Sequence, residues 1–464
     1  MWRAARGAVA LATVLVSCTP SPDAPRPPNF VVILSDDQGY GDLGSYGATD
    51  IRTPRLDEMA AQGTRYTSFY AHTVCGPSRA ALLTGSYARR ADLSPKWSLH
   101  AEEITLAEVL RPRGYATACI GKWDLSERLI VPDRLPLGQG FDYFFGTLGS
   151  NDYGLIPLMR NLESLGAETD PARVIAHMGK VTALYTDEAI AFMERHVDSP
   201  FFLYLAYNMP HGPVGASEPF QGKSGRGLYG DAIEEMDWHA GRLLDAVRRL
   251  GLERDTVVVF ASDNGPRIAA RQAVRALGGQ TGPLRSGKGS AWEGGYRVPA
   301  IWWGPGRIPA GRVSEALLAT LDILPTFAAM AGAALPQDRV LDGVDQTALV
   351  TGATDESARK TFSYYPRDRL EAVRSGPWKL LLPRGKPRWR WAPDQAPIAA
   401  PRLYNLQADP GETRDLAKAH PAVLRRLLAL ADRVRAELGE DEGLGTGRRR
   451  FGGPPPEGKP QSLH

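Results

Sequence analysis

The stretch Cys75-Gly76-Pro77-Ser78-Arg79 is the part of this chain best suited to chemistry. Pro77 favours the first turn of a helix and Gly85 its end, so Cys75 should sit at a helix N-terminus, where free N–H groups and the helix dipole attract an anion. Arg79 lies one turn further along and can face the same spot. Three other clusters carry reactive or ligating groups: Asp36-Asp37, His211 and Asp263-Asn264, each just after an apolar run of strand character. Asp36, Asp37, Asp263 and Asn264 offer hard oxygen atoms with no His or Cys among them, a set that suits Ca2+ or Mg2+ rather than zinc. Three carboxylates converging without a cation would repel one another. Blander roles stay open on composition alone. A free cysteine is usually a buried small hydrophobe, Asp36-Asp37 could cap the next element, and Asp263-Asn264-Gly265 could be a simple turn.

The elements that must position these groups alternate along the chain. Residues 30–34, 116–120, 201–207 and 256–261 are β-rich apolar runs, and residues 55–62, 180–196 and 233–250 have helical period. The pattern predicts an α/β fold with a large mixed, mostly parallel sheet sandwiched by helices. In such folds ligands gather outside the carboxyl ends of the strands. Past Val350 the runs shorten to residues 361–365, 370–373, 378–382 and 403–406, which predicts a smaller C-terminal antiparallel sheet, with an amphipathic helix over 422–438 packed on it.

With 464 residues, 43% hydrophobic and 23% charged, the chain can bury a large core and lies outside the disordered class. The net charge of +3 and the scattered basic residues give no reason to expect a nucleic-acid partner. Residues 1–18 read as an export signal, with Arg3 and Arg6 ahead of an apolar stretch too short to span a bilayer. Leu15-Val16-Ser17-Cys18 resembles the bacterial lipobox, so Cys18 is a candidate for lipidation that would hold the protein at a membrane surface; an ordinary cleaved signal is the alternative. The expected location is the periplasm or cell envelope. Residues 19–28 form a Pro-rich tether, 29–350 the catalytic α/β domain, 351–440 a C-terminal subdomain and 441–464 a disordered tail, in which Arg448-Arg449-Arg450 is a solvated end. Three cysteines with separate explanations make a disulfide framework unnecessary, Cys119 being a buried small hydrophobe.

Cys75-x-Pro77-Ser78-Arg79, with Leu83-Thr84-Gly85 behind it, resembles the signature of the type I sulfatases of the alkaline phosphatase-like superfamily, in which that cysteine is oxidised to formylglycine. Residues 29–42 look like the family's opening strand and metal loop. Gly121-Lys122-Trp123, Gly140-Phe141-Asp142, Ser262-Asp263-Asn264-Gly265, Gly287-Lys288-Gly289, Trp292-Glu293-Gly294-Gly295 and Leu403-Tyr404-Asn405-Leu406 continue the match in order. The arylsulfatases and N-acetylgalactosamine-6-sulfatases are the branch it resembles. The resemblance implies hydrolysis of an aryl sulfate or a sulfated sugar, with Ca2+ bound by Asp36, Asp37, Asp263, Asn264 and the modified Cys75. Hydrated formylglycine would attack sulfur in line, and its second hydroxyl would then expel sulfate and regenerate the aldehyde. By the same resemblance Arg79 and Lys122 steady the diol, Lys288 holds the sulfate, His211 protonates the leaving oxygen and Ser150 contacts the sulfate. Maturation implies a partner, either an oxygen-dependent formylglycine-generating enzyme or a radical-type maturase.

One position departs from the pattern. After Gly121-Lys122-Trp123 the family usually has a histidine that takes a proton, and this chain has Asp124. A carboxylate is a weaker base than imidazole and adds negative charge to an anionic centre. A slower enzyme, one using Asp124 as base, and a weakly active sulfated-glycan-binding lipoprotein are the three consequences open at this point. A phosphodiesterase or phosphonate monoester hydrolase of the same fold is a further alternative. Specificity would lie in loops 151–173 and 213–227, which carry no transferable motif.

Overall fold

Asn29–Ser35 (β1) sends Val31 and Ile33 into one apolar layer and Phe30, Val32 and Leu34 into another. A strand buried on both faces reads as an unbroken apolar run, which is why it is visible in the sequence. The structure is a computed structural model. It describes residues 26–91, 98–126, 129–151, 157–166, 171–268, 278–385, 394, 396–441, 443, 445–449, 451 and 459–460. The export signal, Cys18 and most of the Pro-rich tether lie outside the described residues.

After β1 come α1 (Pro54–Ala61), β2 (Thr64–Tyr70), α2 (Cys75–Thr84), α3 (Leu106–Leu110), β3 (Ala116–Lys122), β4 (Leu129–Ile130), β5 (Tyr143–Thr147), β6 (Leu158–Arg160) and β7 (Glu163–Gly166). Next are α4 (Pro171–Arg195), β8 (Phe201–Ala206), α5 (Gly227–Arg249), β9 (Thr256–Ser262), α6 (Glu293–Tyr296), β10 (Arg297–Trp303), β11 (Arg312–Ser314), β12 (Leu318–Ala319), α7 (Ile323–Ala331) and α8 (Thr347–Val350). Eleven strands make one sheet in the order β11-β2-β10-β9-β1-β8-β3-β5-β6-β7, with β12 also on β2. Its centre, β9-β1-β8-β3-β5, is parallel. Antiparallel pairing begins at β10 on one side and β6 on the other. Helices α1, α4 and α5 pack their apolar residues on one face, and α2, α3 and α7 on the other.

The C-terminal unit is a four-stranded antiparallel sheet, β13 (Thr361–Tyr364), β14 (Ala372–Ser375), β15 (Trp378–Leu381) and β16 (Arg402–Asn405), in that order. Helix α9 (Pro421–Leu438) buries Leu427, Ala431 and Leu438 in a third apolar cluster with Val373 and Leu380. That cluster also takes in Tyr70, Trp292 and Tyr296, so the two sheets share a core. The fold class is as the sequence predicts.

The described part of the tail differs from the expected disorder. Arg449 forks onto the buried Glu103 at 2.7 and 2.9 Å, and its N–H donates to the carbonyl of Arg90 at 2.9 Å. Lys459–Pro460 (β17) pairs antiparallel with β4. A buried carboxylate needs a cation, and the basic run supplies one from far along the chain. Among the described residues no helix is long and apolar enough to cross a membrane.

Candidate active site

The register of the parallel strands gathers the polar groups. Ser35 pairs with Ser262, and Leu34 and Gly121 both pair with Ala206. Lys122 therefore ends β3 level with Ser35, and Asp36 and Asp263 leave the sheet side by side. A Cβ on Gly121 would lie 1.9 Å from the carbonyl oxygen of Ala206, so only glycine fits before Lys122. Asp37 turns the chain with a left-handed φ of 65°, and His211 follows β8.

Helix α2 begins at Cys75 after an extended Val74 and ends at a left-handed Gly85, whose N–H donates to Ala81 at 3.0 Å. The buried Cys75 thiol donates to Asp36 Oδ1 at 3.4 Å and lies 3.3 Å from Lys288 Nζ. Arg79 donates from Nε and Nη2 to Asp263 Oδ2 at 3.2 and 2.8 Å, and from Nη1 to the carbonyl of Lys122 at 2.8 Å. Lys122 Nζ is 2.8 Å from Asp36 Oδ2, and Lys288 Nζ is 2.5 Å from Asp37 Oδ1. Three carboxylates thus face three cations around one sulfur, all out of bulk water.

Asp124 comes within 3.6 Å of Lys122 Nζ and has a left-handed φ of 59°. His211 places Nε2 3.6 Å from Asp37 Oδ2 and Nδ1 2.8 Å from the carbonyl of Gly212. Ser150 is half-buried. Its neighbour Asn151 donates to the carbonyls of His211 and Pro213 at 2.9 and 2.7 Å, which brings that loop beside the His211 loop.

The donor set fits a hard divalent cation. Ligand atoms of Asp36, Asp37, Cys75 and His211 lie within 4.8 Å of one another. Asn264 donates from Nδ2 to Asp37 Oδ1 at 2.7 Å, while its Oδ1 is a buried acceptor with no hydrogen-bond donor, which a cation would satisfy. Asp263 Oδ1 accepts from the Asp37 N–H at 3.2 Å, and its other oxygen is taken by Arg79.

Burial would raise the Asp37 carboxyl, but Lys288 and His211 together hold it below its usual value. Burial, then Asp36, pushes the Cys75 thiol well above the ordinary range, so these residues alone keep the sulfur a thiol. That is the opposite of what a thiolate nucleophile requires. Burial opposes the charge on Lys122 and Lys288, yet Asp124 and Asp36 around Lys122, and Asp37 around Lys288, raise both above the usual lysine value.

The sequence assigns no role to Ser262, beyond its place in the motif, or to Tyr229. Ser262 Oγ accepts from Gln38 N–H at 3.0 Å, and Tyr229 Oη donates to Asp42 Oδ2 at 2.7 Å. Asp42 in turn accepts from the N–H groups of Gly39 and Gln280 at 2.8 and 2.9 Å, fixing the loop that carries Asp36 and Asp37. Burial pushes Asp42 up to about 6. Tyr229 lies far along the chain in α5, and no local signal marks it.

The family model described as Sulfatase matches residues 28–333, and that for the C-terminal region of aryl-sulfatase matches residues 357–444. This chain belongs to the sulfatase family. N-acetylgalactosamine-6-sulfatase of Canis lupus familiaris is 40% identical to it over 394 residues, which cover 79% of this chain and 73% of that protein. Arylsulfatase A of Homo sapiens is 38% identical over 454 residues, 87% of each chain. The PsFucS1 sulfatase from Pseudoalteromonas sp. superposes with a TM-score of 0.79 at 27% identity, covering 88% of this chain and 90% of its own. A phosphonate monoester hydrolase from Silicibacter pomeroyi, 20% identical with a TM-score of 0.65, shares the fold. The sulfatase described here is accordingly a sulfuric ester hydrolase.

Proposed function

We propose that this sulfatase cleaves aryl or carbohydrate sulfate esters with a formylglycine made from Cys75 and a divalent cation, Ca2+ in preference to Mg2+, held by Asp36, Asp37, Asp263 and Asn264. The observation that carries the reading is the convergence of Arg79, Lys122 and Lys288 with these oxygen donors around a buried Cys75 at a helix N-terminus. Formylglycine supplies a hydrated aldehyde as nucleophile, and the cation withdraws charge from the sulfuryl oxygens.

The chain's own residues do the rest. The side chains set four acids, Asp36, Asp37, Asp124 and Asp263, against Arg79, Lys122 and Lys288, so it is an added divalent cation that leaves positive charge to attract an anionic ester. Lys288 Nζ, 3.3 Å from the sulfur of residue 75, is placed to take a sulfate oxygen. Arg79 and Lys122 hold Asp263 and Asp36 in place through charge-assisted hydrogen bonds. His211 Nδ1 faces a carbonyl and so carries a hydrogen, while Nε2 lies toward Asp37 and is placed to serve the leaving oxygen. Asp124 Oδ2 accepts the proton released at residue 75 in place of the usual histidine.

Sulfate release from a panel of aryl sulfates and sulfated mono- and disaccharides tests this. Release is expected to vanish on chelation and return with Ca2+. The melting temperature should rise with it, since a ligand at about a hundred times its Kd adds about 2.7 kcal/mol to the folded state. No release from fully matured, Ca2+-supplied protein would sink the proposal.

A further inference from the structure

Lys288 reaches residue 75 from an irregular loop between β9 and α6, and that loop is held from three sides. Its own N–H donates to Pro266 at 2.9 Å, and Gly289 N–H donates to the carbonyl of Thr73, two residues before Cys75, at 2.9 Å. At the far end Gly265, next to Asn264, donates to Gly295 at 3.1 Å. Residues 287–295 therefore set both the Lys288 ammonium and the Asn264 amide.

The third side is the C-terminal unit. Glu293, fully buried at the start of α6, accepts from Lys379 Nζ of β15 at 3.0 Å, from Tyr364 Oη of β13 at 2.8 Å and from Tyr70 Oη. The N–H of Glu293 donates to Glu412 Oε2 at 2.7 Å, and Glu412 Oε1 lies 2.8 Å from the same Lys379 Nζ. Glu412 is fully buried and has a left-handed φ of 53°, a strained state for a side chain this long. Its carbonyl accepts from Arg285 Nη1 at 3.3 Å, and Arg285 O accepts from Gly294 N–H at 2.8 Å. An apolar seam would join the two sheets without desolvating three charges; directional bonds add a fixed position.

We propose that Glu412 and Lys379 are positioning residues, through which the C-terminal subdomain sets the Lys288 and Asn264 loops for the sulfatase reaction. The inference rests on the reading of Lys288 as the cation that holds the sulfate. Burial pushes the Glu412 carboxyl up, with Lys379 only partly offsetting it; Gln keeps the acceptor for Glu293 N–H but replaces the oxygen facing Lys379 with an NH2 group.

Glu412→Ala and Glu412→Gln, each in the parent and in a Lys288→Ala background, test it. Glu412→Ala is expected to lower kcat/KM roughly 10- to 100-fold, and Glu412→Gln, which keeps the bond to Glu293 N–H and loses the contact with Lys379, to cost less than Ala. In the Lys288→Ala background the Ala substitution should cost clearly less, because its effect passes through Lys288. Amide hydrogen exchange should accelerate at Gly265, Lys288, Gly289 and Glu293, with the strands of the large sheet unchanged. Equal losses in both backgrounds, or unaltered exchange at those amides, would overturn the proposal. Should Glu412→Ala fail to fold, Lys379→Met, which keeps the apolar stem, is read by the same exchange measurement. A parent chain that releases no sulfate would count against the catalytic reading, while exchange would still decide the coupling.

Discussion

Arg79→Met is expected to destabilise the metal-free protein by roughly 3–5 kcal/mol and to remove sulfate release altogether. The Arg79 side chain is completely buried, and two of its three hydrogen bonds end on Asp263 Oδ2, with Asp36 Oδ2 a further 3.9 Å away. Met fills much of the same volume but leaves Asp263 buried with no opposing charge. Asp36 keeps Lys122 at 2.8 Å, so the loss falls mainly on Asp263. Arg79 also holds the carbonyl at the end of β3, and the variant frees Lys122 to shift. Chemical denaturation with and without Ca2+ measures the effect. The destabilisation should shrink when Ca2+ is present, because the cation then neutralises Asp263. A change under about 1 kcal/mol without Ca2+, the scale of a surface pair, would show that Asp263 finds another partner.

Asp124→Asn should lower kcat by about 100-fold or more, the usual contribution of a positioned base, and leave KM nearly unchanged. Asn tolerates the left-handed backbone that Asp124 adopts and matches its shape, so the fold should hold. It keeps a polar contact toward Lys122 but cannot accept a proton. Asp124→His restores a base and should retain activity. An Asn variant as fast as the parent would assign the proton transfer to another group and leave Asp124 as a partner of Lys122 only.

The gathering of the polar groups was legible because each follows a strand buried on both faces. Phe30 to Leu34, Phe201 to Ala206 and Thr256 to Ala261 are unbroken apolar runs, and parallel pairing at matched register does the rest. The start of α5 was not legible: the apolar period suggested Ile233 rather than Gly227. This end of the helix buries carboxylates whose partners are not apparent in the sequence: Asp231 accepts from Gly222, Lys223 and Ser224, Glu234 pairs with Arg52, and Asp237 accepts from Arg55 and Leu56. Partners 182 residues apart, such as Arg52 and Glu234, leave no local trace. Arg449 with Glu103, and Glu412 with Glu293 and Lys379, were missed for the same reason. Each looks like a surface charge until the partner is in place.

The central claim is that residue 75 acts as an aldehyde and not as a thiol. Peptide mass at residue 75 and sulfate release, measured on the same preparations made with and without a formylglycine-generating partner, test it most directly. Activity is predicted to rise in proportion to the converted fraction and to be absent from Cys75→Ala, whose small apolar side chain leaves the surrounding ion pairs intact. Full activity in a preparation whose residue 75 is unmodified cysteine would contradict the account.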